Sequence, residues 1–513
     1  MKKFLTTLLA ALMLLTLLMS PILAEGRVDW GEAPEAKTLT LFADCTWLPY
    51  DTLDGIIPQW ITEETGITVN LIKATDSNQI VMLVASGDLP DMIMTDNANM
   101  FRELSNEDMC YSFNELIEQY VPNWEVPEVE QNMNAYYSED GKFYMLKNYF
   151  NTIEEIKAAG GLAVNNHQFY MRTDIFKAMG ETEYPSNTEE LMALLGRVKE
   201  QYPNMIPMVF QHRNYSAFSS LVGLDRSMPK DAEGNPVHEM SVPQFKDFLS
   251  VINQMYRKGY ILEENFSFNS DEQMIQYMSN GQGFMFSSYG LDDATYTGYV
   301  RNADPEASLD QLPLMDNYAR TFSVSGWAGT FITKDCSDPE AAIKLISWIK
   351  DGDNKYGSWC GVKGIDWDFD ENGDFIALER YVEAKANGAV DPTYTGVGFL
   401  LSATDYICEG VVGYATYDER VRAILDDSCA RANFSNVWGL VSPLADSKEG
   451  VIKSELYDLM TEYFPIVCMS KTDEEFEANY AKMMSEAEAI GIAAYNAWLS
   501  ETYDALCERF GTI

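Results

Sequence analysis

The 513-residue chain carries 79 Asp and Glu against 36 Lys and Arg, a formal net charge of −43. That balance argues against nucleic acid or an anionic membrane surface as a partner. The length exceeds what one hydrophobic core fills, so two lobes are expected. Eight widely spaced cysteines without a C-x-x-C pair indicate neither a zinc site nor a thioredoxin-like motif, and leave free thiols and one or two bridges equally open.

The chain starts with Lys2-Lys3, an apolar run from Phe4 to Met19, then Ser20-Pro21-Ile22-Leu23-Ala24 before Glu25. A basic start, a short apolar stretch and a small residue read as a secretory signal peptide over 1–24, followed by a polar linker over 25–36. No cysteine stands at the cleavage point, so the lipoprotein signal is missing. The mature protein is expected to be extracytoplasmic: secreted, at the cell surface or periplasmic.

KTLTLF from Lys37 alternates like a strand, and Asp44-Cys45-Thr46-Trp47 follows its end. Ile57, Trp60 and Ile61 mark a helix that stops at Gly66, and ITVNL from Ile67 alternates again. Ile80, Leu83 and Val84 predict another helix, closed at Ser86-Gly87. Asp88-Leu89-Pro90-Asp91 then turns into the buried strand Met92-Ile93-Met94, which ends at Thr95-Asp96-Asn97. This β-α-β-α-β order belongs to an open α/β sheet, which binds ligands beyond the carboxyl ends of its strands.

Further on, Phe169 to Asp174 opens a second region, and Ser186 to Glu189 forms a capping box before a helix. Another helix starts at Pro243, and Trp327 to Thr333 is an apolar strand. Asp338-Pro339 starts the next helix, and Thr472 to Ile490 has helical periodicity.

Taken in order, the segment ASGDLPD, RTDIFKAMG with YPSNTEEL, INQMYRKGYI, the Gly281 to Phe284 turn, DPEAAIKLISWI, WCGVKGIDWDFDENG and EEFEANYAKMMSEAEAIGI resemble the extracellular solute-binding proteins, family 1, of carbohydrate ABC importers. The resemblance covers nearly the whole mature chain. It implies an α/β, two-lobe periplasmic-binding-protein-like (type II) fold with a hinge and a central ligand cleft. It implies discontinuous lobes: 37–160 with 328–405, and 161–327 with 406–513, the latter with a helical C-terminus. It also implies a non-enzyme: a monomer that captures a carbohydrate, such as an oligosaccharide, and hands it to a membrane ABC permease. A peptide or other polar solute is the alternative ligand, and a secreted polysaccharide-processing enzyme the alternative class.

The residue inventory agrees with binding rather than catalysis. There is no G-x-x-x-x-G-K-[ST] loop, no G-x-G-x-x-G opening a helix after a strand, no H-E-x-x-H and no G-x-S-x-G. The histidines, His167, His212 and His238, stand far apart and read as surface or packing residues. Sugars offer flat C–H faces and rims of hydroxyls, so their sites need aromatic platforms with carboxylates, amides and Arg around them. The candidates at strand ends or beside glycines are Asp44, Trp47, Asp96, Asn97, Arg172, Tyr289, Trp327, Trp359, Trp367 and Trp438, while Trp60, Trp348 and Trp498 read as core.

Asp368 to Glu379 matches the EF-hand loop pattern D-x-D-x-[DN]-G-x5-E. Asn372-Gly373 between Trp367-Asp368-Phe369 and Phe375-Ile376 reads equally as a two-residue type I′ hairpin turn. No helix pattern precedes the motif, so the hairpin is the expectation. Neither a cofactor nor a resident metal is expected.

Overall fold

The computed structural model describes residues 36–76, 78–160, 167–210, 216–268, 271–289, 293–387 and 393–511. The predicted signal peptide and its linker as far as residue 35 lie outside the described residues. So do His212 and the side chains of His167 and Tyr289.

The opening half builds the expected unit. Strands β1 (Lys37–Ala43), β2 (Ile67–Lys73) and β3 (Met92–Thr95) alternate with helices Ile56–Thr65 and Gln79–Ser86. Each helix closes on a glycine in the left-handed region, Gly66 at φ 71° and Gly87 at φ 70°. Both β2 and β3 run parallel to β1. β4 (Met145–Lys147) lies at the far edge. Between β3 and β4 the chain later inserts an antiparallel strand, Gly329–Ile332, giving a five-stranded sheet.

Side chains alternate across this sheet. Leu39, Leu41, Met92, Met94 and Ile332 pack on one face with the helix Pro339–Lys350. Phe42, Ile93, Met145 and Phe331 fill the other. Burial on both faces explains why β3 reads as an unbroken apolar run.

The second sheet takes β5 (His167–Arg172), β6 (Ile206–Val209), β7 (Gly283–Tyr289) and β8 (Leu309–Gln311) in the order β6-β7-β5-β8. Its core joins Phe169, Met171, Met208 and Phe284 to residues of helices Pro243–Arg257 and Lys448–Cys468. The helix Thr188–Gln201 is capped by Asn187, which accepts from the Glu190 N–H, one residue later than the predicted Ser186 box. Ser186 instead donates its own N–H to the Glu190 carboxylate.

Three stretches lie side by side where the chain passes between the sheets. β9 (Thr321–Ser323) pairs in parallel with Asn433–Ser435. Val324 donates to the Ser435 carbonyl, Asn151 donates to the Val324 carbonyl, and Phe150 bridges Ser325. Gly329–Ile332 is β10; β11 (Trp367–Phe369) and β12 (Phe375–Ala377) form a hairpin; Asn433–Ser435 is β13. The last helix, Ile492–Phe510, touches both bodies: Tyr495 and Leu499 in the second core, Leu506 on the first sheet. All eight cysteines are free thiols, so the sequence's open choice falls on the unbridged alternative.

Asp91 closes the ASGDLPD turn and ties three segments together. Its carboxylate accepts from the Thr40 N–H (2.6 Å) and hydroxyl (2.7 Å), and from the Ser337 N–H (2.6 Å) and hydroxyl (2.7 Å). Burial alone would raise its pKa, but these four donors hold it below the usual 3.8. Its contribution is complete above that value and is lost as pH falls through the lowered one. Asp91→Ala should therefore cost about 3 kcal/mol or more in urea unfolding, because four donors lose their acceptor. An unchanged midpoint would remove Asp91 from this role.

Candidate functional site

The site grows from the strand ends of the first sheet. Ala43 pairs with Met94, and the Asp44 N–H continues the ladder to the Met94 carbonyl at 2.9 Å. Beyond that point stand Asp44, Trp47, Asp96 and Asn97. β10 runs the other way, with Gly329 opposite Thr95, so Trp327 overhangs the same end of the sheet. Chain direction, not proximity in sequence, brings them together.

Gly326 makes that overhang possible. It sits at φ 80°, and a Cβ there would meet the Asn148 carbonyl oxygen at 2.2 Å. Asn148 is fully buried and clamps the neighbourhood. Its side-chain oxygen accepts from the Ala328 N–H (3.1 Å), and its amide donates to the Phe399 carbonyl (3.1 Å). The next residue, Tyr149, takes a left-handed φ of 52°, with its N–H on the Thr404 carbonyl at 2.7 Å.

The result is an aromatic shelf. Trp47 stacks on Phe399 with centroids 5.9 Å apart and lies 6.2 Å from Trp327. Trp327 is 6.5 Å from Phe399 and 6.2 Å from Tyr149, which meets Tyr406 edge-on at 5.1 Å. Trp47 remains 58% exposed, so a wide ring face is left to solvent.

Carboxyl groups border the shelf. The Asp44 carboxylate accepts from the Thr95 hydroxyl at 2.7 Å, and burial nonetheless raises its pKa. Burial and the neighbouring Asp44 charge raise that of Asp96. Behind Tyr149, burial pushes Glu409 up to about 7 despite its hydrogen bond with Tyr149.

Of the sequence candidates, Asp44, Trp47, Asp96, Asn97 and Trp327 are brought together. Asn97 also caps the helix Ala98–Leu104, accepting from the Asn99 N–H. The others are elsewhere. Trp367 is core, 1% exposed among Tyr356, Phe369 and Phe375, with its indole N–H donated to the Gly361 carbonyl. Trp359 packs half-buried on the first core. Arg172 is buried in a two-pronged pair with Asp174, with Asp304 at 3.4 Å. Trp438 donates its N–H to the Ser227 carbonyl and lies against Tyr503. Tyr289 contributes only its backbone, in β7, to the described residues. His238 is spent as a cap, its Nδ1 accepting from the Met240 N–H. Asn148, Tyr149, Phe399, Tyr406 and Glu409 were missed. Phe399 sits in an apolar run that reads as core, while the Asn148-Tyr149 pair just past β4 was the available signal.

The EF-hand pattern folds as a hairpin, but not with the expected turn. The Asp370 N–H donates to the Asp374 carbonyl, and the Gly373 N–H to the Asp370 carbonyl. Only Gly373, at φ 86°, is left-handed; Asn372 is not, which excludes type I′. The loop has three residues, because the Asp370 carboxylate accepts from both the Asn372 and Asp374 N–H groups and holds the wider turn. Glu379 starts the following helix, Glu379–Ala386. Among the described residues no group of three or more His, Cys, Asp or Glu is placed to hold a metal ion.

One concavity, of about 770 Å³, has a different lining. Glu118, Trp124, Glu125 and Glu128 line it, and none of the shelf residues does.

No family model and no curated protein sequence matches the chain. Solved structures do. The alginate-binding protein AlgQ2 is similar at a TM-score of 0.64 and 18% identity, over 92% of this chain and 98% of that one. The ABC-transporter substrate-binding protein FusA of S. pneumoniae, in complex with kestose, gives 0.65 and 18%, over 92% and 100%. The N-glycan transport solute-binding protein NgtS of S. pneumoniae gives 0.60 and 14%, over 92% and 99%. The fold is that of two-lobe solute-binding proteins.

Two outcomes test this geometry. Gly326→Ala should lose at least ~1 kcal/mol to left-handed strain and weaken the near-UV circular dichroism of the stacked Trp rings. An unaltered spectrum would mean the shelf does not depend on that turn. Calcium should move the melting temperature by less than about 1 °C, since ligand-linked stabilisation needs a formed site. A rise of several degrees that vanishes in Asp370→Ala would establish a metal site.

Proposed function

We propose that this chain is an extracytoplasmic solute-binding protein that captures a carbohydrate, an oligosaccharide, and delivers it to a membrane ABC permease. The observation carrying this reading is the shelf: an indole 58% exposed, stacked on Phe399 and next to Trp327, bordered by carboxylates at strand ends. Rings cover the C–H faces of a sugar, and Asp44, Asp96 and Asn97 accept from its hydroxyls. The AlgQ2, FusA and NgtS likenesses support the class.

The lobes are taken as 37–160 with 328–405, and 161–327 with 406–513. The separate packing around the two sheets supports the division, although Val412 packs in the first core and Leu506 on the first sheet. Ligand held on the first lobe gains further contacts when the second closes, and that difference in affinity drives closure. The chain acts as a monomer and leaves the cytoplasm on its signal peptide. Among the described residues no helix is long and apolar enough to cross a membrane.

A glycosidase places its two carboxyl groups on either side of the scissile bond. Asp44 and Asp96 follow adjacent parallel strands of one sheet, so both face a ligand from the same side. That favours holding a sugar over cleaving it.

Trp47→Ala provides the test. So exposed a ring adds little to folding, whereas a stacking platform is worth on the order of 1 kcal/mol, roughly tenfold in affinity. The expected result is weaker glycan binding in fluorescence titrations with a melting temperature close to the parent's. Binding of peptides but of no glycan would replace the carbohydrate reading, and release of new reducing ends would replace the binding one.

A further inference from the structure

The carboxylates beside the shelf bear on what kind of sugar fits. Asp44 and Asp96 leave parallel neighbouring strands, close enough for the charge of one to act on the other. Glu409 lies behind Tyr149 at the opposite end of the ring row. Of the cations nearby, Lys385 acts by its charge on Glu409, and the others are turned to other acceptors. Lys73 donates to the Leu48 carbonyl (2.7 Å) and pairs with Asp51 (3.0 Å). Lys355 pairs with Asp405 (3.1 Å), and Arg320 lies over the Phe322 ring and donates to the Ser227 hydroxyl.

We infer that the shelf selects uncharged or amino-bearing glycans and rejects uronate-type acidic ones, with Asp44 and Asp96 as the residues that set this choice. The inference rests on the carbohydrate reading above and narrows it. Hydroxyl and ammonium donors both satisfy a carboxylate, and the ammonium does so with charge assistance. A sugar carboxylate brings a third negative charge next to two that are already partly desolvated. That repulsion disfavours the acidic form, and rejection by like charge is a common source of specificity. The net charge of −43 acts in the same direction at longer range.

The test is a panel of oligosaccharides in which each linkage is offered in neutral, 2-amino and 6-carboxylate form. Thermal shift and Trp fluorescence titration at neutral pH give the readout. For every linkage that binds, the uronate form should be weakest by about tenfold or more, and the gap should shrink as salt rises. Asp96→Asn, which removes the charge and keeps the side chain's size, should narrow the gap, and Asp44→Asn should do the same. A uronate form that binds as tightly as its neutral counterpart overturns the inference while leaving the carbohydrate reading intact. A gap unchanged in both variants overturns the assignment to these residues. If no glycan of any form binds, the carbohydrate reading fails, and this inference with it.

Discussion

The antiparallel insertion of β10 between β3 and β4 is the constraint on which the rest depends. The first sheet is incomplete until the chain has built the second one and returned. That return forces segments around 150, 324 and 435 to run alongside one another, and their hydrogen bonds make the connection between bodies. It also reverses one strand among parallel neighbours. A parallel strand there would have carried its leading residues to the opposite end of the sheet; the antiparallel one puts Trp327 beside Asp96 and Asn97.

Once β10 is in place, its surroundings are fixed by buried polar groups rather than by apolar packing. Asn148 holds Ala328 and Phe399 from opposite sides, and Ser402 donates to the Leu146 carbonyl beside it. A buried amide with these bonds made is rigid, because any shift leaves polar atoms unpaired at a cost of 1–3 kcal/mol each, roughly. Tyr149 pays for its left-handed backbone in the same region, and strain of this kind persists only where the surroundings over-determine it.

The local part of this design was legible in the sequence. The helix closed at Gly87, the turn through Asp91 and the apolar strand Met92–Thr95 all follow from neighbours within twenty residues. The placing of Asp44 and Trp47 just past a strand was legible for the same reason. What could not be read was non-local. Whether Trp367 faces a cleft or a core depends on Tyr356 and Phe375, whereas Arg172 is taken up by Asp174, a neighbour only two residues away. The hairpin turn failed for a smaller reason. Asn372-Gly373 favours a two-residue loop on its own, but the Asp370 side chain competes for the same backbone donors and wins.

The shelf is therefore a product of register. Its rings come from stretches near 47, 149, 327, 399 and 406, and none of these residues lies within a strand. The helix Tyr406–Thr416 locks the far end: Asp405 caps it, accepting from the Cys408 N–H at 2.6 Å, and pairs with Lys355. The same helix places Glu409 against Tyr149 and lets Tyr406 donate to the Ser323 carbonyl on the crossing strand. A movement of the crossing strands would thus be felt at Tyr406 and, through ring contact, at Tyr149 and Trp327. The rings of the shelf and the strands that connect the bodies are consecutive links of one contact chain.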